Sequence, residues 1–156
     1  MKKFLALVFI LFLIPSICFA APDIKYDKQT FDPLRGTYYL EGNVSVKNNG
    51  FIVSSDKAQV EMYSLEVHAQ GHIHLTQDNI SFYGNTADVY GRDKTAKVSG
   101  NLKFTQDDKT ITADEGSFNW DTKKIVFTGN VHVVSSKDNF TATTITYDIL
   151  NQQIEK

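Results

Sequence analysis

The sequence predicts an all-β fold built from antiparallel strands that repeat every 29 residues. A five-residue segment that begins with glycine and continues with alternating polar and apolar residues occurs four times at this spacing. The four copies are Gly42-Asn43-Val44-Ser45-Val46, Gly71-His72-Ile73-His74-Leu75, Gly100-Asn101-Leu102-Lys103-Phe104 and Gly129-Asn130-Val131-His132-Val133. Apolar and polar residues alternate with a period of two, which is typical of half-buried strands. Helical 3.6-residue patterns are missing, so the repeat indicates a sheet.

The N-terminus has the pattern of a secretory signal. Two lysines precede the eleven apolar residues 4–14, and Cys18 and Ala20 supply small residues at positions −3 and −1 of a cleavage site. We therefore expect residues 1–20 to be a cleaved signal peptide and residues 21–156 to form the mature domain. As a helix, eleven residues rise about 16 Å, which is half a bilayer core and disfavours a membrane anchor.

Composition limits the classes of function. Ile17 before Cys18 disfavours a lipoprotein, because a bulky branched residue replaces the small one that usually precedes a lipidated cysteine. The predicted mature chain then has 136 residues, no cysteine, and 14 basic against 18 acidic residues. Its stability must come from buried apolar surface and strand pairing. The negative charge disfavours a nucleic-acid partner, which would require a basic face.

Each repeat divides into two strands that meet at a corner. In the first strand Leu40, Val44 and Val46 share an apolar face with Gly42, and a glycine at mid-strand predicts a sharp bend. In the second strand the alternation of apolar and polar residues shifts by one position. We expect a β-bulge to absorb this slip at the column Asp56, Asn85 and Asp114, with these side chains capping the bend through hydrogen bonds to the backbone.

Turn-forming residues separate the strands at residues 32–36, 48–50, 91–94 and 121–124. Strands this close in sequence, without a crossover helix, are expected to be antiparallel neighbours. A leucine-rich repeat is disfavoured because its L-x-x-L-x-L pattern is absent. A parallel β-helix stays open as the alternative, because its coils also place Gly and Asn at corners.

The repeated Gly-Asn-Val-x-Val segment, the Ser-Asp or Ala-Asp pair followed by alanine, and the ending Tyr147-Asp148 resemble the OstA-like domain family. The resemblance covers the chain from about residue 24 to the C-terminus. Proteins of this kind with a signal peptide are the LptA-type periplasmic lipopolysaccharide transport proteins. The resemblance implies an open, twisted β-jellyroll, a periplasmic location, and neither catalytic residues nor a cofactor.

The resemblance also implies a ligand and partners. The apolar interior would take the acyl chains of lipid A, and copies would stack head to tail as a homo-oligomeric bridge between an LptC-type inner-membrane subunit and an LptD-type outer-membrane subunit. We predict that the inward apolar side chains form the lipid-binding face. They are Leu40, Val44, Val46, Val53, Val67, Ile73, Leu75, Phe82, Val98, Leu102, Phe104, Ile111, Phe118, Trp120, Phe127, Val131 and Val133.

The bulky residues of this face allow a second interpretation. Periodicity alone favours a filled core, because inward residues of small β-folds normally fill the interior. The family resemblance favours a groove instead, and small residues such as Ala69, Ala87 and Ala96 beside the glycines would leave room for a ligand. From a different class of function, a scaffold that assembles envelope proteins without binding lipid is the alternative to a carrier.

A repeat sheet leaves a strand edge at each end. The first unit begins at residues 24–26 and the last ends at residues 149–154, and both stretches are apolar with few charges. Exposed edges pair readily with another sheet, which predicts end-to-end assembly. The alternative is an edge covered by its own terminus.

Three histidines of one strand, His68, His72 and His74, are predicted on the polar face. Zinc binding is conceivable at this spacing. We predict a solvated face and no metal site, because the strand shows no nearby carboxylate or cysteine. Motifs of catalysis, such as a nucleophile elbow or a phosphate loop, are also missing, so no enzyme is predicted.

Overall fold

The computed structural model describes residues 23–48 and 51–155, and these residues form eleven strands. The strands are β1 (Asp23–Lys25), β2 (Lys28–Asp32), β3 (Thr37–Asn48), β4 (Phe51–Glu61), β5 (Glu66–Gln77), β6 (Ile80–Tyr90), β7 (Thr95–Gln106), β8 (Lys109–Asn119), β9 (Lys124–Val134), β10 (Asn139–Asp148) and β11 (Gln153–Glu155). The predicted signal peptide and residues 49–50 of a predicted turn lie outside the described residues. None of the described residues belongs to a helix that could span a membrane.

All strand pairs are antiparallel. Each strand from β3 to β10 pairs with the next in sequence, β1 and β2 both pair with β3, and β11 pairs with β10. The inward residues form continuous cross-strand rows, one of which contains Leu40, Ala58 and Ala69. This confirms the predicted antiparallel repeat sheet, and the alternative of a parallel β-helix is wrong.

The predicted corners are present at every repeated glycine. The four glycines have φ between 76° and 78°, and the following Asn43, His72, Asn101 and Asn130 also have positive φ, between 46° and 51°. Two successive left-handed residues bend the strand, and only glycine adopts the first of these conformations without strain. A side chain at Gly71 would also overlap the Asp56 carboxylate.

The strand opposite each corner carries the predicted bulge. Register shifts occur between Ser54 and Lys57 and at the equivalent positions of β6, β8 and β10. The Asp56 carboxylate lies over the glycine and is 2.8 Å from Nδ1 of His72. In the equivalent pairs, Asn43 donates to Asp27 and Asn130 donates to Asp114, both at 2.9 Å. These bonds join side chains, whereas we expected bonds to the backbone.

The corners fold the sheet into two facing layers. We call the strand halves beside the turns at residues 62–65, 91–94, 120–123 and 149–152 the upper layer, and those beside the turns at residues 78–79 and 107–108 the lower layer. The apolar faces of the two layers pack against each other and form the core. The strand halves of the two layers also meet at their ends away from the corners. We call this line of contact the seam.

The two ends of the sheet differ in how their edges are covered. β11 pairs with Thr146, Tyr147 and Asp148, whereas residues 141–144 of β10 pair only with β9 among the described strands. At the other end β1 and β2 pair with β3 on one side. The alternative of an edge covered by its own terminus therefore holds for the last part of β10.

Candidate functional site

Fifteen of the seventeen predicted lipid-binding residues pack into or against three apolar clusters. Thirteen of the seventeen are buried, and Val53, Leu75, Phe118 and Trp120 are half-buried. Val53 and Trp120 are not members of the clusters, and Trp120 lies in the turn after β8. The structure thus collects most of the predicted face into one interior.

The largest cluster fills the C-terminal half of the interior with aromatic side chains. The Phe104 ring lies 5.0 Å from that of Phe82, 5.6 Å from that of Phe127 and 5.3 Å from that of Tyr147, measured between centroids. Phe104, Phe127 and Tyr147 are all 0% exposed. Such contacts contribute about 0.5–1.5 kcal/mol per aromatic pair beyond area burial. This half is therefore a closed core.

Smaller aliphatic side chains line the N-terminal half. One cluster contains Leu40, Val44, Ala58, Ala69 and Ile73, and the other contains Val46, Val60 and Val67. The second cluster joins the two layers at the seam, because Val46 lies in the cross-strand row of Val53 and Leu75 in the lower layer, whereas Val67 belongs to the upper layer. The interior therefore changes from aromatic to aliphatic along the molecule.

Sequence reasoning missed Tyr147 as an interior residue, although it shares its repeat column with Phe118 and Val60. Its hydroxyl donates a hydrogen bond of 2.9 Å to Oε1 of Gln106. Burial raises the pKa of Tyr147 to about 12, and the nearby Asp107 and Asp148 carboxylates add to the shift. The hydroxyl is consequently protonated and acts as a donor at neutral pH.

Polar contacts close the seam at the C-terminal end. The Gln106 amide donates to the Ile149 carbonyl at 3.4 Å, and the Lys109 ammonium donates to the Gln152 carbonyl at 3.1 Å. These residues, together with Tyr147, connect the end of β7 and the start of β8 to the end of β10 and the turn that follows it. We call this group of five residues the clasp.

At the middle of the seam, two inward apolar side chains are only half-buried. Leu75 and Phe118 lie one repeat before Phe104 and Tyr147, which meet across the seam in ring contact. Leu75 and Phe118 are both half-buried and pack at the margin of the C-terminal core. The apolar interior thus reaches the surface here, between a closed aromatic end and an aliphatic end.

A polar cleft of 570 Å³ lies beside the clasp. It is lined by Asp108, Lys109, Ser135, Ser136, Lys137, Asp138, Phe140, Gln152, Gln153 and Ile154. None of the seventeen predicted lipid-binding residues lines it. The cleft is therefore a separate surface feature at the C-terminal end.

The prediction that the histidines lack a nearby carboxylate is wrong. Nδ1 of His68 lies 2.7 Å from Oδ1 of Asp88, and Nε2 lies 3.5 Å from Oε2 of Glu66, which belongs to the same strand. The hydrogen bond with Asp88 raises the pKa of His68 against the opposing effect of burial. His72 is exposed, and His74 stacks on the Tyr83 ring at 4.2 Å.

The comparisons with known proteins agree with this architecture. A family model described as LptA/(LptD N-terminal domain) LPS transport protein matches residues 52–153. The crystal structure of LptH from Pseudomonas aeruginosa, described as the LptA-homologous periplasmic component of the conserved lipopolysaccharide transport device, superposes with a TM-score of 0.66.

The match to LptH covers 72% of this chain and 93% of that chain at 12% sequence identity. It confirms the predicted jellyroll fold. No significant match to a curated protein sequence was found. Because the family model covers well over half of the sequence, this chain belongs to the OstA-like family of LptA and LptD N-terminal domain lipopolysaccharide transport proteins.

Proposed function

We propose that this protein is a periplasmic carrier that binds lipopolysaccharide and shields the acyl chains of lipid A on their way from the inner to the outer membrane. The observation that carries the proposal is the apolar interior between the two layers, which reaches the surface at the half-buried Leu75 and Phe118. Membership of the transport family supports the same role. Binding of this kind requires no catalytic residue and no cofactor.

An acyl chain gains free energy from entering this interior. Burial of each methylene group contributes about 0.8 kcal/mol, so a chain of twelve carbons offers several kcal/mol for displacing protein contacts. Away from the clasp, apolar contacts such as those of Val46 and Val67 join the layers. The ligand therefore enters by separating the layers at the middle of the seam while the β-ladders stay paired.

The same fold supports the proposed assembly. Residues 141–144 of β10, which pair only with β9 among the described strands, offer one edge, and β1 and β2 offer the other at the opposite end of the sheet. Antiparallel or parallel pairing of these edges would extend the interior from one copy to the next. We propose head-to-tail homo-oligomers that connect an LptC-type inner-membrane subunit to an LptD-type outer-membrane subunit.

Delivery to this location follows from the N-terminal sequence. We propose that residues 1–20 are removed as a signal peptide and that residues 21–156 form the mature periplasmic domain. The two lysines, the apolar run and the small residues before the cleavage point support this division.

The filled aromatic core favours a scaffold as the second candidate. Phe104 and Phe127 are 0% exposed and already have protein partners. A scaffold would use the free strand edges and keep this core closed. The two candidates differ in whether a charge at the seam affects lipid binding.

The experiment replaces Phe118 with aspartate and measures binding of the purified protein to immobilised lipopolysaccharide. A charge among the acyl chains costs several kcal/mol, so we expect affinity to fall by at least about tenfold. Val126→Asp is the matched control, because Val126 is an exposed apolar residue on the outer face of the adjacent strand. Thermal unfolding verifies that both variants fold, and equal affinities would support the scaffold.

A further inference from the structure

Three potential metal ligands converge on the outer face at the turn between β4 and β5. Glu61 ends β4, Glu66 begins β5 opposite to it in the strand register, and His68 follows two residues later on the same face. One carboxylate oxygen of each glutamate and a ring nitrogen of the histidine all lie within 4.8 Å of one another. All three residues are half-buried.

The orientation of His68 suits metal binding. Asp88 of β6, its partner in the register, lies 2.7 Å from Nδ1 and holds the proton there. In the neutral imidazole Nε2 then carries the lone pair, and it lies on the side of Glu66, 3.5 Å from Oε2. A carboxylate on the second ring nitrogen is the arrangement that orients histidine ligands in metal sites.

The cluster also has an excess of negative charge. Glu61, Glu66 and Asp88 form no salt bridge with lysine or arginine in the described part of the chain, whereas Glu115 and Glu155 each pair with a lysine at 2.7–2.8 Å. Among the described residues, the imidazole of His68 forms the ion pairs of Glu66 and Asp88. A divalent cation would neutralise this charge.

Hydrogen bonds position the third ligand. The Gln59 amide donates to one carboxylate oxygen of Glu61 at 2.7 Å, and the Ser64 hydroxyl donates to the other at 2.9 Å. Ligating carboxylates commonly have such outer partners, which hold them toward the ion. The side chains of His68 and Glu66 are each 33% exposed, which gives an ion access from solvent.

We propose that Glu61, Glu66 and His68 bind a zinc ion, with Asp88 as a positioning residue and water in the fourth place. Zinc bonds of about 2.0–2.2 Å in a tetrahedron hold ligand atoms about 3.3 Å apart, close to the observed separation of His68 and Glu66. The donor set excludes calcium as the preferred ion, because calcium takes six to eight oxygen ligands. The site is distinct from the lipid-binding interior, since it lies on the opposite face of the sheet.

The test is calorimetric titration of the chelator-treated protein with zinc chloride at pH 7.5. We expect one zinc per chain, and we expect His68→Gln and Glu66→Gln each to lower the affinity at least about tenfold. Asp88→Asn should weaken binding less, because Asp88 orients His68 without touching the ion. His72→Gln is the matched control, since His72 also contacts a carboxylate, Asp56, but has no third potential ligand beside it in the described part of the chain.

Cobalt chloride supplies an independent readout. Cobalt in the same site should give the intense d–d absorption bands of a four-coordinate ion in the parent protein and in His72→Gln, whereas His68→Gln should show only the weak bands of hydrated cobalt. Absence of zinc binding at about 100 µM, which corresponds to a binding free energy weaker than about 5.5 kcal/mol, would overturn the proposal. Undiminished affinity in both His68→Gln and Glu66→Gln would overturn it as well. If His68→Gln fails to fold, Glu66→Gln decides the question.

Discussion

At the scale of single residues, the corner glycines show how local conformation determines the fold. Gly129 has a φ of 76°, and a side chain there would collide with the Asp114 carboxylate. We expect Gly129→Ala to lower the free energy of unfolding by about 1–3 kcal/mol, measured by urea denaturation, because a non-glycine residue is strained in this conformation. Removing the collision with Asp114→Ala in the same chain should recover part of the loss.

The neighbouring Thr128→Ala provides the reference for a surface change on the same strand. Equal urea midpoints for Gly129→Ala and Thr128→Ala would show that the corner does not need glycine.

Tyr147 makes the fold sensitive to alkaline pH. An unfolded tyrosine loses its proton near its ordinary pKa of 10.0, whereas Tyr147 in the fold loses it near about 12. Ionisation therefore favours the unfolded state, and the contribution of Tyr147 to stability is present below pH 10 and declines between pH 10 and about 12. Urea unfolding at pH 8 to 11.5 measures this decline.

The comparison uses Tyr147→Phe, which lacks the titrating group. This variant should be less stable at pH 8, because it leaves Gln106 without the hydroxyl, and its stability should fall less steeply above pH 10. Parallel pH profiles for both proteins would contradict the role assigned to this hydroxyl.

Individual inward residues were predictable because side chains alternate across a strand. The His68 site was not recognised, although a signal was present in Glu66, which lies two residues earlier and hence on the same face. The partnership with Asp88 depends on the register between β5 and β6. That register follows from the two-residue turn at residues 78–79, which is not among the turns predicted from the sequence.

At the scale of elements, the free edge of β10 carries the prediction about assembly. Thr141 and Thr143 are exposed on the part of β10 that pairs only with β9. We expect lysine at both positions to shift oligomers to monomers in sedimentation velocity, because charged lysines on an edge strand oppose edge-to-edge pairing.

The control places the same charge on β9, which has a strand partner on both sides. It combines Val126→Lys and Thr128→Lys on the outer face of that strand. This variant should keep the oligomer distribution of the parent. If both double variants assemble alike, the β10 edge is not the contact.

The hairpins and corners were predictable because glycine at a fixed spacing and turn residues each require a particular backbone. The short strands were less visible. β11 has only three residues, too few for alternation to stand out, and β1 and β2 are separated by Tyr26 and Asp27. Asp27 continues the corner column by its bond to Asn43, which a search for the repeat one unit earlier could have detected.

At the scale of the whole molecule, the structure changes from an aliphatic end to a closed aromatic end with a clasp. Contacts of the clasp join residues 43 positions apart, as in Gln106 with Ile149 and Lys109 with Gln152. The sequence separation between residues that meet across the seam depends on how far the sheet twists between its layers. That twist accumulates over several strands. The 29-residue repeat alone therefore predicts which residues face inward but not which of them meet across the seam.

The most direct test of the central claim, that acyl chains occupy the space between the two layers, is site-specific photo-cross-linking. A photoreactive side chain is placed at Phe118 or Leu75 in the seam, and at Lys103 or Thr128 on the outer face, and each protein is irradiated with lipopolysaccharide. The account predicts cross-links to the acyl chains from the two seam positions and none from the outer positions. Absence of cross-links from all four positions, or equal cross-linking from both faces, would contradict it.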